Sequence, residues 1–290
     1  MQTTIRDSLK QHMTFSFEVF PPKVDQPIEP LLDTLEHLYP YRPDYISCTY
    51  GAGGTNKGRN FEIVDEIIKH DSCNALMHFT CIGNTREDIK SILQEYVNAG
   101  LMNVLALRGD LPANWEGTRG DFSHADELIS YIKELYPQMC IGAACYPEMY
   151  YKAPSYEYDI AFLRVKQDNG ADFLMTQLCH DVETYERFRD QARKAGVHIP
   201  IIVGLMPVLN KDAIIRMTLS NGSSIPRELA AIIGKYGDDP ESFKKAGKEY
   251  TAESVHRFMN AGIDGIHFYS LNRYKDLADI IELSGIRPVR

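Results

Sequence analysis

Residues 85–107 read TREDIKSILQEYVNAGLMNVLAL. Ile89, Ile92, Leu93, Tyr96 and Val97 recur at helical spacing, and Thr85 stands as an N-cap with Asp88 three residues on. Gly100 marks the stop, because glycine enters the left-handed conformation that ends a helix without steric cost. The apolar run Val104 to Leu107 follows within a few residues. The stretch is one complete unit of helix, glycine and strand.

The same unit recurs along the chain. Helix stops at Ala99-Gly100, Asn169-Gly170, Ala195-Gly196 and Ala261-Gly262 each precede a β-rich run. The runs are Phe15 to Phe20, Tyr45 to Thr49, Leu76 to Cys81, Val104 to Leu107, Ile141 to Cys145, Phe173 to Gln177, Ile201 to Leu205 and Ile266 to Tyr269. The period is about 30 residues, near the smallest βαβ unit, and strands that alternate with helices pair in parallel. Eight such units in 290 residues predict a closed (β/α)₈ TIM barrel, with an open doubly wound sheet as the alternative. The long gap from Pro207 to Gly262 predicts extra helices in the seventh unit. No Pro- or Ser-rich linker interrupts the chain, so residues 1–290 read as a single domain.

Composition narrows the function. Forty Asp and Glu outweigh 31 Lys and Arg, for a net charge of −9, and the basic residues are scattered, which argues against a nucleic-acid partner. With 44% hydrophobic and 24% charged residues the chain is an ordinary globular protein. It has no run of the roughly 18 apolar residues of a membrane span, and the polar opening from Met1 to Lys10 lacks a signal-peptide core. These features read as cytoplasmic. The six cysteines form no C-x-x-C pair and lie in or beside apolar runs, so buried thiols are expected. No H-e-x-x-H or metal-spaced cluster is present, so metal catalysis has no support.

In a barrel of this kind the reactive groups sit at the C-terminal strand ends. Glu18, Thr49, Tyr50, His78, Thr80, Arg108, Gly109, Asp110, Tyr146, Glu148, Gln177, Asn272 and Arg273 all fall there. Glu18 lies between Phe17 and Val19, an apolar setting of the kind that raises a carboxyl pKa and suits a general acid; an interior salt bridge is the alternative. Asp110 could accept hydrogen bonds from a heterocycle or pair with Arg108. The glycines around Ala52 could offer N–H groups to a phosphate, although the spacing matches neither a dinucleotide fingerprint nor a P-loop. His78 by itself reads as an interior residue and Lys166 as part of a solvated helix face. The residues alone stop at a barrel enzyme without a named substrate.

Taken together, the segments Phe15 to Lys23, Ser47 to Ala52, His78 to Cys81 and Leu107 to Pro112 closely resemble methylenetetrahydrofolate reductases. The likeness continues through Ala144 to Glu148, Thr176-Gln177, Gly204 to Val208 and His267 to Arg273, and so covers nearly the whole chain in order. The resemblance implies an FAD-containing barrel that reduces 5,10-methylenetetrahydrofolate to 5-methyltetrahydrofolate, its flavin reduced in turn by NADH, NADPH or an electron-donating partner subunit. It implies Glu18 as general acid, Asp110 between flavin and pterin, and Gln177 and Arg273 on the substrate. Flavin contacts carry over to Thr49, Tyr50, Ala52, His78, Arg108, Gly109, Asp110, Ala125, Tyr146, Asp159 and Lys166. A homo-oligomer is expected on the same basis. So is the absence of the C-terminal regulatory domain of eukaryotic relatives, since the chain ends soon after the eighth unit.

The chain also departs from the family pattern. Tyr150 stands where a histidine near the FAD adenosine is common, and Phe162 and Val165 where polar or basic residues occur. Ala213 and Met217 replace the polar and aromatic side chains expected on the helix after Pro207, which leaves nicotinamide stacking without its usual partner.

Overall fold

Each strand hydrogen-bonds in parallel to the next, and the eighth returns to the first, so the sheet closes into a barrel in sequence order. The computed structural model describes residues 3–50, 57–111 and 115–287. The strands are β1 (Thr14–Val19), β2 (Tyr45–Cys48), β3 (Asn74–Thr80), β4 (Asn103–Leu107), β5 (Cys140–Cys145), β6 (Phe173–Thr176), β7 (Ile201–Leu205) and β8 (Gly265–Tyr269). All eight lie within two residues of their sequence-predicted starts or ends.

The helices follow the same logic. After the short α1 (Ile5–Leu9) come α2 (Glu29–Leu38), α3 (Lys57–His70), α4 (Arg86–Asn98), α5 (Ala125–Leu135), α6 (Tyr156–Asp168) and α7 (Val182–Lys194). The seventh unit holds the expected extra helices, α8 (Lys211–Ser220), α9 (Arg227–Tyr236) and α10 (Pro240–Asn260), and α11 (Tyr274–Ser284) closes the ring. Thr85 and Asp88 form a capping box at the start of α4. Gly100 is at φ +101° and Gly170 at +109°, so the chain turns left-handed where the repeat requires it.

Strand alternation splits the side chains between two cores. Phe15, Phe17, Ile46, Met77, Phe79, Val104, Ile141, Leu174, Val203 and Phe268 face the helices in one large apolar layer. Tyr45, Leu76, Leu105, Cys140, Phe173, Met175 and Ile202 fill the barrel interior, where Ile5 of α1 joins them. The Ile5 N–H donates to Asn103 Oδ1 at 2.8 Å, and the Arg6 N–H to Cys140 Sγ at 3.3 Å. Thus α1 plugs the N-terminal end of the barrel, with Leu9 beside Ile5 against the interior cluster, an element that a few apolar residues in a mostly polar decapeptide did not foretell. A third cluster, with Leu178, Met206, Val208, Ile214, Leu229 and Phe243, fastens the extra helices to the C-terminal rim. All six cysteines are buried free thiols.

Candidate active site

The C-terminal ends of the strands surround a cavity of about 830 Å³, within the range of small-molecule sites. Thirteen of the site candidates read from sequence line it together: Glu18, Thr49, Tyr50, His78, Thr80, Arg108, Gly109, Asp110, Ala125, Tyr146, Asp159, Lys166 and Gln177. Ala52 and its neighbouring glycines lie outside the described residues. Arg273 is not brought to this wall. It caps α11 with its side chain half exposed and its Nε 2.9 Å from Asp276 Oδ2. Lys244 and Lys248 hold the same carboxylate. Burial alone would raise the Asp276 pKa; the three cations bring it down to about 2.

Glu18 reaches the cavity from β1 because the residues beside it, Phe17 and Val19, face the helix layer. Its surroundings are more polar than those flanking residues imply. Glu18 Oε2 lies 3.4 Å from His78 Nε2 and 3.8 Å from His267 Nε2. His267 is itself fully buried, with Nδ1 2.8 Å from Ser16 Oγ and Nε2 3.2 Å from Ser47 Oγ. Burial pushes the His78 pKa down, with His267 adding to the effect and Glu18 opposing it. His78 is therefore neutral near pH 7, and its contact with Glu18 is not an ion pair. Among the described residues no lysine or arginine lies within salt-bridge distance of Glu18, and its ionisable neighbours are the two histidines. A carboxyl lacking a fixed cation can exchange a proton with a ligand.

The opposite end of the cavity suits an anion. Lys166 is on the inward side of α6 rather than on a solvated face, and is only 7% exposed. Its Nζ donates to Ala144 O at 2.8 Å and sits 5.6 Å from the centre of the Phe162 ring. Burial lowers the Lys166 pKa, while Cys145, Asp159 and Asp126 act to raise it. Ala125 opens α5, so the positive end of that helix dipole also meets the cavity. Asp159 accepts the Tyr150 N–H at 2.8 Å, and burial raises its pKa. Tyr146, Tyr150, Tyr151, Tyr158 and Phe162 complete an aromatic wall, in which the Tyr146 and Tyr150 rings are 4.8 Å apart.

Between these ends the β4 loop presents its polar groups. Gly109 is at φ +86°, and a Cβ there would meet Thr80 and Ile82 atoms at 3.0 Å, so both conformation and space favour glycine. Arg108 Nε donates to Ser123 O at 3.0 Å. Its partner is thus a carbonyl and not Asp110, which is exposed at the cavity wall. Gln177 Oε1 accepts the Leu178 N–H at 2.8 Å, so the carboxamide nitrogen is the end available to a ligand. Tyr50 Oη and His78 Nε2 are buried without a hydrogen-bond partner among the described residues. Such atoms are costly unless something pairs with them.

Sequence reasoning missed Tyr269 and His124 as lining residues. Tyr269 lies over Gly204, where a Cβ would collide with the phenol oxygen at 2.2 Å, and its hydroxyl donates to Thr176 O at 2.8 Å. The signal was the alternation of His267 and Tyr269 on β8, which puts both on the interior face. Of the departures from the family pattern, Tyr150 and Phe162 line the cavity, whereas Val165, Ala213 and Met217 do not.

Comparison with known proteins places this geometry in context. Residues 3–285 match the family model described as methylenetetrahydrofolate reductase. The 5,10-methylenetetrahydrofolate reductase of Pectobacterium carotovorum is 33% identical over 280 residues, covering 97% of this chain and 93% of the relative. Methylenetetrahydrofolate reductase 1 of Schizosaccharomyces pombe is 34% identical over 281 residues. This chain spans about half of that yeast relative, 47% of its length, while 96% of the chain is matched. Methylenetetrahydrofolate reductase (NADH) 1 of Arabidopsis thaliana is 32% identical, with 94% of this chain and 48% of the relative covered. A solved Clostridium thermocellum protein described as binding two copies of 5-methyl-5,6,7,8-tetrahydrofolic acid shares the fold at a TM-score of 0.64, with 14% identity over 97% of this chain and 98% of its own.

Proposed function

Since this chain belongs to the methylenetetrahydrofolate reductase family of oxidoreductases, we propose that its cavity binds FAD and reduces 5,10-methylenetetrahydrofolate to 5-methyltetrahydrofolate. The observation that carries this reading is the shared cavity. A carboxyl without a fixed cation, a carboxamide and a buried lysine beside a helix N-terminus line one space.

The donor set fits the cofactor. Lys166 and the first turn of α5 would neutralise a diphosphate, while Tyr146, Tyr150 and Phe162 offer apolar ring faces to an adenosine or a flavin. Tyr50 Oη and His78 Nε2, without a hydrogen-bond partner among the described residues, would meet the polar edge of a flavin ring. FAD bound there would supply the hydride, which is chemistry no side chain can provide.

The chain's own residues do the rest. Glu18 delivers a proton to the folate nitrogen that leaves the methylene carbon when the five-membered ring opens, making that carbon an acceptor for hydride. His78 and the Ser16–His267–Ser47 cluster fix where the acid stands. Gln177 and Asp110 hold the pterin by hydrogen bonds. NADH, NADPH or an electron-donating partner subunit restores the reduced cofactor. Arg273 would assist folate binding only after leaving Asp276.

The test is anaerobic mixing of the FAD-loaded protein with 5-methyltetrahydrofolate while absorbance is followed near about 450 nm, the flavin band. Bleaching is expected. Binding of FAD without bleaching would overturn the folate reaction, and failure to bind FAD would overturn the cofactor assignment.

A further inference from the structure

Glu148 is a strand-end carboxylate in sequence, yet it does not line the cavity. Its oxygens are engaged elsewhere. Oε1 accepts the Ser224 N–H at 2.8 Å, and Oε2 accepts the Ser224 hydroxyl. Ser224 belongs to the short connection between α8 and α9. Its neighbour Ser223 donates its hydroxyl to Leu178 O at 2.9 Å, one residue beyond Gln177. The connection is therefore pinned to the rim of the fifth unit and to that of the sixth.

Both sides of this clasp touch the cavity. Asn221 lines it, with Nδ2 donating to Met217 O at 2.9 Å. A Cβ on Gly222 would lie 3.8 Å from the Cβ of Tyr151, another lining residue. On the fifth-unit side, Met149 adopts φ +78°, a conformation uncommon for any residue with a side chain. Such geometry persists only where the surroundings enforce it. Here the Met149 N–H donates to Tyr146 O at 3.1 Å, Tyr150 N–H donates to Asp159, and Glu148 grips Ser224.

We propose that Glu148 is a positioning residue whose clasp on Ser224 holds the α8–α9 connection across the cavity rim, and that release of the clasp governs entry and exit of the folate. This rests on the folate and flavin reading of the cavity. The clasp joins the fifth unit to the seventh across the sixth, a link that the strand ladder does not require. Because α8 and α9 are held independently by the apolar cluster around Leu229 and Phe243, losing the clasp leaves them packed. Ser224 is exposed, so water competes for the contact and it can break and reform, as a gating contact must.

The test uses the FAD-loaded full chain with Glu148→Ala, Ser224→Ala, both together, and Glu148→Gln. Backbone hydrogen exchange is followed at residues 221–224, with dissociation of 5-methyltetrahydrofolate and the kcat and KM for methylenetetrahydrofolate. Glu148→Ala removes both bonds to Ser224 and is expected to speed exchange at those amides and folate release by about ten- to a hundred-fold, the range for charge-assisted hydrogen bonding. KM should rise while kcat holds or increases. The double variant should be no worse than Glu148→Ala, since Ser224→Ala removes only the hydroxyl bond, which Glu148→Ala already removes, and Glu148→Gln should recover part of the effect. Unchanged release and KM in the variants of a folate-binding wild type would overturn the clasp alone. So would exchange accelerated equally across the barrel. A wild type that binds no folate would overturn the clasp and the functional reading together.

Discussion

The interior of the barrel has two unlike halves. β8, β1, β2 and β3 turn His267, Tyr269, Ser16, Glu18, Ser47 and His78 toward the axis, whereas β4 to β7 contribute Leu105, Gly142, Ala144, Phe173, Met175, Ile202 and Gly204. One half holds the titratable groups in fixed mutual positions through the sheet register, with Ser16 opposite His267 and Glu18 opposite Tyr269. The other half is apolar or small apart from Asn103 at the N-terminal floor, while Tyr45 and Leu76 extend the apolar cluster beneath the polar half. A Cβ at Gly142 would fall within 2.5 Å of the Phe173 ring, so glycine there is what lets an aromatic fill the interior. The difference separates duties: proton chemistry belongs to the polar half, and burial that stabilises the barrel belongs mainly to the apolar half.

The sharpest way to break this division is Glu18→Gln. The substitution keeps size and hydrogen-bonding capacity but removes the transferable proton. We expect the folate half-reaction to slow by about 10²- to 10⁴-fold, the usual worth of a general acid, while flavin reduction by the donor and the unfolding midpoint hold. Single-turnover traces of each half-reaction decide it, and equal slowing of both would remove Glu18 from the role.

Next in size is Phe173→Ala in the apolar half. Phe173 is fully buried in the interior cluster, and truncating such a ring costs about 3–5 kcal/mol. Urea unfolding should show it, with per-molecule folate reduction much closer to wild type than in Glu18→Gln. A folded Phe173→Ala protein that had lost catalysis selectively would show that the halves are not separable.

These expectations also mark what the sequence could reveal. The eight strands and the glycine stops were legible because alternation and left-handed turns are local properties, and strand ends follow once the strands do. Lys166 was misjudged without the family resemblance, since a helix face cannot be called inward until the barrel closes, whereas His78, read as interior, is buried on the inward strand face. The five-residue α1 carries too little periodicity to announce a plug. Arg273 and Glu148 were legible as strand-end charges, and the Arg273–Asp276 pair is a local i,i+3 contact at the start of α11. The partner of Glu148, Ser224, comes from a loop 76 residues away. Partner choice of that kind is tertiary and leaves no spacing signal.

A smaller effect concerns pH. His180 follows β6, on the apolar side, and is 2% exposed, with Nε2 3.2 Å from Thr218 Oγ1. Burial lowers its pKa to about 4, against about 6.5 in the unfolded chain. The unfolded state then binds more protons between those values, so stability is complete above about pH 6.5 and declines as pH falls toward 4. The loss should be on the order of 2–3 kcal/mol by the lower limit. His180→Gln should flatten the urea midpoint between pH 7 and pH 4.5; an unaltered slope would assign the acid sensitivity to other groups.

The smallest test lies at the seam between the halves, where α4 connects β3 to β4. Thr85 Oγ1 accepts the Asp88 N–H at 3.1 Å, and the Asp88 carboxylate accepts the Thr85 N–H at 2.9 Å. Thr85→Ala removes the first bond but leaves the second, and Asp121 Oδ2 still accepts the Arg86 N–H at 2.8 Å. With two of the helix-start donors still satisfied, the cost should be about 0.5–1 kcal/mol, the low end for an N-cap. Urea denaturation should register that shift with no change in FAD affinity or either half-reaction. If FAD binding weakened instead, the start of α4 would be transmitting position to β3, which carries His78, and to the loop after β4, which carries Asp110, and the two halves would be coupled through the helix layer rather than independent.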